Sequence, residues 1–224
     1  MIYIITIIIM VLSYGISAML KSKFEKYSRV ALPSGLSGKD IAEKLLRDNG
    51  IADVKVFSVQ GQLTDHYNPK NKTVNLSSGV YEGRSVAAAA VAAHECGHAI
   101  QHDKGYAFLK MRSSLVPIIS FSSKYVQWVL LAGVVLIQTF PALLGIGIIM
   151  FALTTLFSFI TLPVEFNASR RALEWLNTTG IASGEYGAQA RDALKWAAMT
   201  YVIAALGSLA TLIYYISIFN RRRA

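Results

Sequence analysis

Residues 125–164 carry no charged side chain. That run is about twice as long as one helix needs to cross a hydrocarbon core of roughly 30 Å. It suits two spanning helices joined near Thr139-Phe140-Pro141, because within lipid a helix satisfies its own backbone polar groups. Residues 1–20 are also uncharged and mostly apolar, and the positive charges Lys21, Lys23 and Lys26 follow rather than precede them. A signal peptide carries its charges first, so this segment reads as a membrane anchor. Residues 198–219 form a further apolar stretch, closed by Arg221-Arg222-Arg223. About four transmembrane helices are therefore expected. Composition agrees: 54% of residues are hydrophobic and 16% are charged, against roughly 25% charged in an average soluble chain. The net charge of +9 suits an anionic membrane surface. No basic stretch is interleaved with aromatics, so no nucleic-acid partner is expected. Cys96 is the single cysteine, which excludes an intrachain disulfide. There is no internal repeat.

Between the anchor and the long uncharged run lies a region of different character, polar and mixed in charge. Pro33-Ser34-Gly35 breaks the chain. Ser37 followed by Asp40 resembles a capping box, and Ile41, Ala42, Leu45 and Leu46 form a helical stripe to about Asp48. Asn49-Gly50 ends that helix. Residues 54–59 are β-rich and partly alternate, so they predict a strand. Asn68-Pro69-Lys70-Asn71 is a turn signal. Thr73-Val74-Asn75-Leu76 alternates again and reads as a second strand, placed as a possible edge. From Ser85, alanines lead into a helix that continues through His102. The expected organisation is an anchor over 1–20, a catalytic region over 21–113, two spans over 114–164, a polar helical segment over 165–197 broken near Thr179-Gly180, and a last span with a basic end over 198–224.

That alanine-rich helix contains His94-Glu95-Cys96-Gly97-His98, a match to HExxH. Positions i and i+4 share one helical face, so both imidazoles reach one ion. Zinc takes nitrogen ligands at about 2.0–2.1 Å, and a catalytic site keeps one position for water. The glutamate beside the first histidine is placed to take a proton from that water as general base. Coincidence is a poor account, because random placement of the chain's His and Glu residues yields roughly 0.002 such patterns per chain. Cys96 points away from the histidine face and reads as packing.

A third protein ligand is required, and two candidates stand open. His102 lies a further four residues along the same face, but three successive turns converge poorly on one tetrahedral ion, so it reads as an outer contact or a surface residue. Glu165, in Pro163-Val164-Glu165-Phe166-Asn167-Ala168-Ser169-Arg170-Arg171, would bring a carboxylate from a second helix. It sits beside an apolar run, where an acidic group needs a partner or an exit to water.

These residues resemble the YugP-like family of membrane-bound neutral zinc metallopeptidases. The likeness is densest from Gly38 to Gln101, through Leu63-Thr64-Asp65-His66-Tyr67, Val74-Asn75-Leu76-Ser77 and Ala93 to Gln101. It resumes at Pro163 to Leu173. More distantly the chain is similar to gluzincin membrane proteases, including the heat-shock inner-membrane protease and the CAAX prenyl protease. The resemblance implies an α-helical integral membrane protein with a zincin-like α+β catalytic domain and a small β-sheet. It implies one zinc ion per chain on His94, His98 and Glu165. Those relatives carry the glutamate in a Glu-x-x-Ala-Asp segment whose Asp orients the first histidine. Ser169 stands in that place here, leaving Ser169 or Asn167 to supply a weaker contact to His94.

The expected activity is endopeptidase cleavage of protein or peptide substrates, membrane proteins above all, with Glu95 as base. His66 or Tyr67 could donate to the developing oxyanion, although Asp65-His66-Tyr67 also reads as an ordinary turn. The strand over 73–76 could bind an extended peptide by strand addition, or be plain sheet. Rival readings are a zinc-stabilised membrane scaffold without turnover and a hydrolase of lipid esters. Glu165 follows the third span directly, so the zinc should sit near the bilayer surface. If both meet on one side, Lys21, Lys23, Lys26, Lys110, Arg112, Arg170 and Arg171 flank the spans there. The positive-inside rule then makes the catalytic region cytoplasmic in a multi-pass cell-membrane protein. Lys124 either opens the second span or faces a helix interior.

Overall fold

The computed structural model describes residues 2–221, which are mostly helical. Helix α1 covers Ile2–Ser28. The helix runs on past the apolar stretch through Lys21, Lys23 and Lys26. The chain then runs through α2 (Gly38–Asp48), strands β1 (Lys55–Val59), β2 (His66–Asn68) and β3 (Thr73–Ser77), and the short α3 (Ser78–Tyr81). Four further helices follow: α4 (Val86–Asp103), α5 (Ala107–Val135), α6 (Pro141–Thr178) and α7 (Gly184–Arg221). Helices α6 and α7 pass unbroken through residues 164–165 and 197–198, where the apolar pattern suggests boundaries. The break at Thr179-Gly180 is present, between the two helices, with Gly180 at φ 71°.

The chain divides into two compact units. One takes residues 16–109 and 163–199, and the other takes residues 2–15, 110–162 and 200–221.

In the first unit, the Ser37 hydroxyl accepts from the Asp40 N–H at 3.2 Å, and the Asp40 carboxylate accepts from the Ser37 N–H at 2.9 Å. This reciprocal cap starts α2. It turns Ile41, Ala42, Leu45 and Leu46 into the core against Val74, Leu76 and α4. Truncating Leu45 or Leu76, both fully buried, is expected to cost about 2–5 kcal/mol. The Ser85 hydroxyl caps α4 by accepting from the Ala88 N–H at 3.2 Å. Ala87 to Ala90, Ala92 and Ala93 are all buried, so α4 is a central helix whose small side chains let neighbours approach closely.

The sheet corrects two expectations. Its order is β1-β3-β2, with β1 parallel and β2 antiparallel to β3. The strand at 73–77 is therefore central rather than an edge. Both its sides are already paired, so it has no free edge to receive a peptide. Asp65-His66-Tyr67 is not a simple turn, because His66 and Tyr67 open β2. The Asp65 carboxylate accepts from the Ser77 N–H at 2.7 Å and pins the approach to that strand.

In the second unit, Val126, Leu130 and Leu144 form a small apolar core. Phe121, Trp128, Ile149 and Ile213 are more than half exposed. Helices α1, α5, α6 and α7 are long and apolar enough to cross a membrane. Side chains so apolar and so exposed fit a surface bathed in lipid rather than water. Lys124 lies inside α5 with an exposed side chain, not in that core.

Candidate metal centre

Helix α4 sets His94 and His98 one turn apart, with ring centroids 4.8 Å from each other. Helix α6 supplies Glu165. The two helices meet at Gly97, where a Cβ would lie 2.7 Å from the Ala168 carbonyl oxygen and 3.0 Å from its Cα. Any side chain at residue 97 would push α6 away. With glycine there, Glu165 Oε2 comes within 3.3 Å of His94 Nε2 and 3.6 Å of His98 Nε2. One ligand atom from each residue lies within 4.8 Å of the other two. Glu165 is 2% exposed and His98 is 8% exposed, so the cluster is largely dry.

This donor set fits a zinc ion. Ligands about 2.0–2.2 Å from a tetrahedral centre lie roughly 3.4 Å from one another, close to the separations of 3.3 and 3.6 Å here. Both imidazoles also turn their other nitrogen away from the cluster. Ser169 Oγ lies 3.1 Å from His94 Nδ1, and Gln101 Oε1 lies 3.1 Å from His98 Nδ1. Such outer partners leave Nε2 facing the carboxylate. Burial pushes the pKa of His98 down, but the Glu165 carboxylate and, more weakly, Glu95 outweigh it and raise it above the ordinary value. The cluster therefore attracts positive charge, and a proton and a metal would compete for it.

Glu95 is also buried. Its Oε2 accepts from the Tyr67 backbone N–H at 2.9 Å, so β2 holds the carboxylate in place. The Tyr67 hydroxyl lies 2.7 Å from His102 Nδ1. Burial, then the charges of Asp53 and Asp103, push the Tyr67 phenol up to about 12, so it stays protonated in this contact. His102 is thus exposed and turned to Tyr67, outside the three-residue cluster. The His66 ring lies 2.8 Å from the Thr64 carbonyl and 3.3 Å from Asn75 Nδ2. Cys96 is fully buried, with Sγ 3.6 Å from the Ala42 carbonyl, and burial raises its thiol pKa well above the ordinary range.

Of the two residues left to support His94, Ser169 makes the contact. Asn167 instead accepts from Gln101 Nε2 at 3.0 Å and from Arg171 Nε at 2.8 Å. Gln101 has no role in the sequence reading, and Arg171 counts there only as a basic residue near a span. The available signal was spacing. Gln101 lies three residues beyond His98, and Arg171 four beyond Asn167, so each pair shares a helical face.

Fold and site together define a helical chain with spanning-length helices and a buried two-histidine, one-carboxylate centre. Residues 2–220 match the family described as "Putative neutral zinc metallopeptidase", and the chain belongs to it. It is 42% identical over 219 residues to "Putative membrane protease YugP" of Bacillus subtilis (strain 168), covering 98% of this chain and 96% of that protein. No solved structure matches it.

Proposed function

We propose that the protein is a membrane-bound, zinc-dependent endopeptidase. His94, His98 and Glu165 hold one zinc ion per chain, and Glu95 serves as general base and then as acid to the leaving amine. The observation that carries this reading is the convergence of His94 Nε2, His98 Nε2 and Glu165 Oε2 with both Nδ1 atoms hydrogen-bonded elsewhere. When bound, zinc supplies Lewis-acid chemistry, polarising a carbonyl and making a water acidic at neutral pH. The chain's own residues do the rest. Glu165 brings the negative charge that makes the donor set favour a dication. The Tyr67 N–H holds the Glu95 carboxylate beside the histidines, on the next position of α4. The same N–H points away from β3, so the outer edge of β2 faces Glu95 and is where an extended peptide would lie. His66 and Tyr67, on that strand, are the candidate side-chain donors for a developing oxyanion. The Tyr67 hydroxyl would have to leave His102 to serve.

The HExxH helix packed against a small sheet supports a zincin-like reading of this region. Protein or peptide segments are the substrates. Glu165 directly follows the uncharged run ending at Val164, which favours cleavage close to the bilayer. The basic residues flanking the spans favour a cytoplasmic catalytic region.

The test is cleavage of an unstructured reporter by detergent-purified protein, wild type beside Glu95→Gln. Wild-type cleavage, lost in Glu95→Gln with zinc retained, is expected. Cleavage that survives Glu95→Gln would overturn the assigned base. A zinc-loaded wild type that cleaves nothing would favour a scaffold without turnover.

A further inference from the structure

His94 and His98 are supported by chemically different partners. The Ser169 hydroxyl beside His94 Nδ1 rotates and serves as donor or acceptor. The partner of His98 has no such freedom. Arg171 Nε carries a hydrogen and only donates, so the Asn167 atom 2.8 Å away is the amide oxygen. That oxygen also faces Gln101 at 3.0 Å, which requires the Gln101 atom there to be the NH2. The second hydrogen of this NH2 points to the Val164 carbonyl at 2.8 Å. The remaining Gln101 atom is therefore the oxygen, and it can only accept from His98 Nδ1 at 3.1 Å. Reversing the Gln101 amide would set its oxygen against two other oxygens. Reversing Asn167 as well would set its NH2 against the arginine. Arg171 fixes the Asn167 amide, and the Val164 carbonyl independently fixes that of Gln101. Gln101 is fully buried, so no water relieves a mismatch, and a buried polar group left unsatisfied is destabilising.

We infer that Gln101, held by the Val164 carbonyl and by a relay through Asn167 to Arg171, is a positioning residue that locks His98 in the tautomer with hydrogen on Nδ1, leaving Nε2 bare toward Glu165. None of the three touches the metal position. They act through His98, and this account of their purpose rests on the zinc reading given above. The relay also ties α4 to α6 beside the site, so helix spacing and ligand tautomer are set by the same bonds. His94, on a rotatable hydroxyl, is the adaptable ligand of the pair.

The test uses the full-length protein in detergent with nitrogen-15-labelled histidine. Metal-free protein at about pH 9 or above, where the nitrogen-15 shifts themselves show the His98 ring neutral, should carry the His98 hydrogen on Nδ1. Gln101→Leu, which keeps approximate volume but removes the acceptor, should shift His98 toward hydrogen on Nε2. By competition with a chelator, the same variant should bind zinc about 10–100-fold more weakly, as for other outer-shell partners. Asn167→Leu leaves the Val164 carbonyl to orient Gln101, so it should shift the tautomer and zinc affinity less than Gln101→Leu. Asn167→Asp keeps an acceptor for both Arg171 and Gln101, and should keep the wild-type tautomer and zinc affinity to within about threefold. Wild-type His98 with its hydrogen on Nε2, or a tautomer unchanged by Gln101→Leu, would overturn the relay. Wild type that shows the expected tautomer but no zinc binding would overturn the zinc reading and leave the relay intact.

Discussion

Gly97 on α4 and Gly133 on α5 each let a helix come close to α6, and the space they free is used in opposite ways. At Gly97 a Cβ would meet the Ala168 backbone at 2.7 Å, and at Gly133 it would meet the Leu144 backbone at 2.6 Å. Around the first contact the helices carry His94, Glu95, His98, Gln101, Glu165 and Ser169, each facing a defined polar partner. Around the second they carry Val126, Leu130 and Leu144. Close packing is therefore not what distinguishes the site. The difference is what the approaching backbones bring with them: in one region a preorganised polar cluster whose groups cost free energy unless paired, in the other apolar contacts that any well-fitting side chain could supply.

Removing a polar member of the first contact should separate the regions most sharply. Glu165→Ala is expected to weaken zinc binding by more than about 100-fold, the upper end of what outer-shell partners contribute. Leu144→Ala, fully buried in the other unit, should lower stability by about 2–5 kcal/mol and leave zinc affinity unchanged. Chelator competition and thermal unfolding in detergent read both. Equal loss of zinc in the two variants would break the comparison.

The glycines come next. Gly97→Ala forces α4 and α6 apart, and is expected to cost about 1–3 kcal/mol as an overpacked contact together with loss of zinc affinity. Gly133→Ala should cost a similar amount of stability with no effect on zinc. Gly145→Ala is the control. Among the described residues its Cβ would meet the Phe219 ring alone, at 3.7 Å, and the change should alter stability by less than about 0.5 kcal/mol. If Gly97→Ala keeps full zinc affinity, close approach at that point does not position Glu165.

What could be read from the sequence follows the range of the interaction. The Ser37–Asp40 capping box, the helix from Ser85 and the shared face of His94 and His98 depend on residues within a turn or two, and they stand out. The uncharged runs are legible because lipid imposes a length on them. Strand β2 is only three residues long and exists because β3 offers it a partner, so nothing within 66–68 announces it. The central place of β3 depends on which strands flank it, a non-local fact that alternation does not encode. Glu165 enters the sequence reading by family likeness and proximity to lipid, and the structure adds its closeness to both imidazoles. The Gln101–Asn167 bond joins residues 66 apart, and no local pattern reports such a pairing.

Ser169→Ala tests the polar contact at His94. The hydroxyl is buried and lies 3.1 Å from Nδ1, so its loss strands a nitrogen that water reaches poorly. About a tenfold drop in zinc affinity is expected, at the low end for outer-shell partners, with little change in unfolding temperature. A smaller drop than that of Gln101→Leu would agree with His94 being the adaptable ligand. A larger one would reverse that ranking.

The smallest effect should come from the hydroxyl pair in the other unit. Ser158 Oγ and Ser208 Oγ lie 3.1 Å apart, a contact that resembles Ser169 with His94 in distance alone. Each of these hydroxyls also faces a carbonyl of its own helix, Thr155 at 2.7 Å and Ala205 at 2.8 Å. When one serine is removed, the other keeps that local acceptor, so little is left unsatisfied. Hydrogen bonds between helices in membranes average about 0.6 kcal/mol for this reason. Ser208→Ala should therefore shift stability by about that amount and leave zinc binding and cleavage untouched, as measured by unfolding in detergent beside chelator competition. A loss of several kcal/mol would mean that the pair anchors α6 to α7. The membrane unit would then depend on polar specificity as the metal centre does, and the contrast between the two regions would fail.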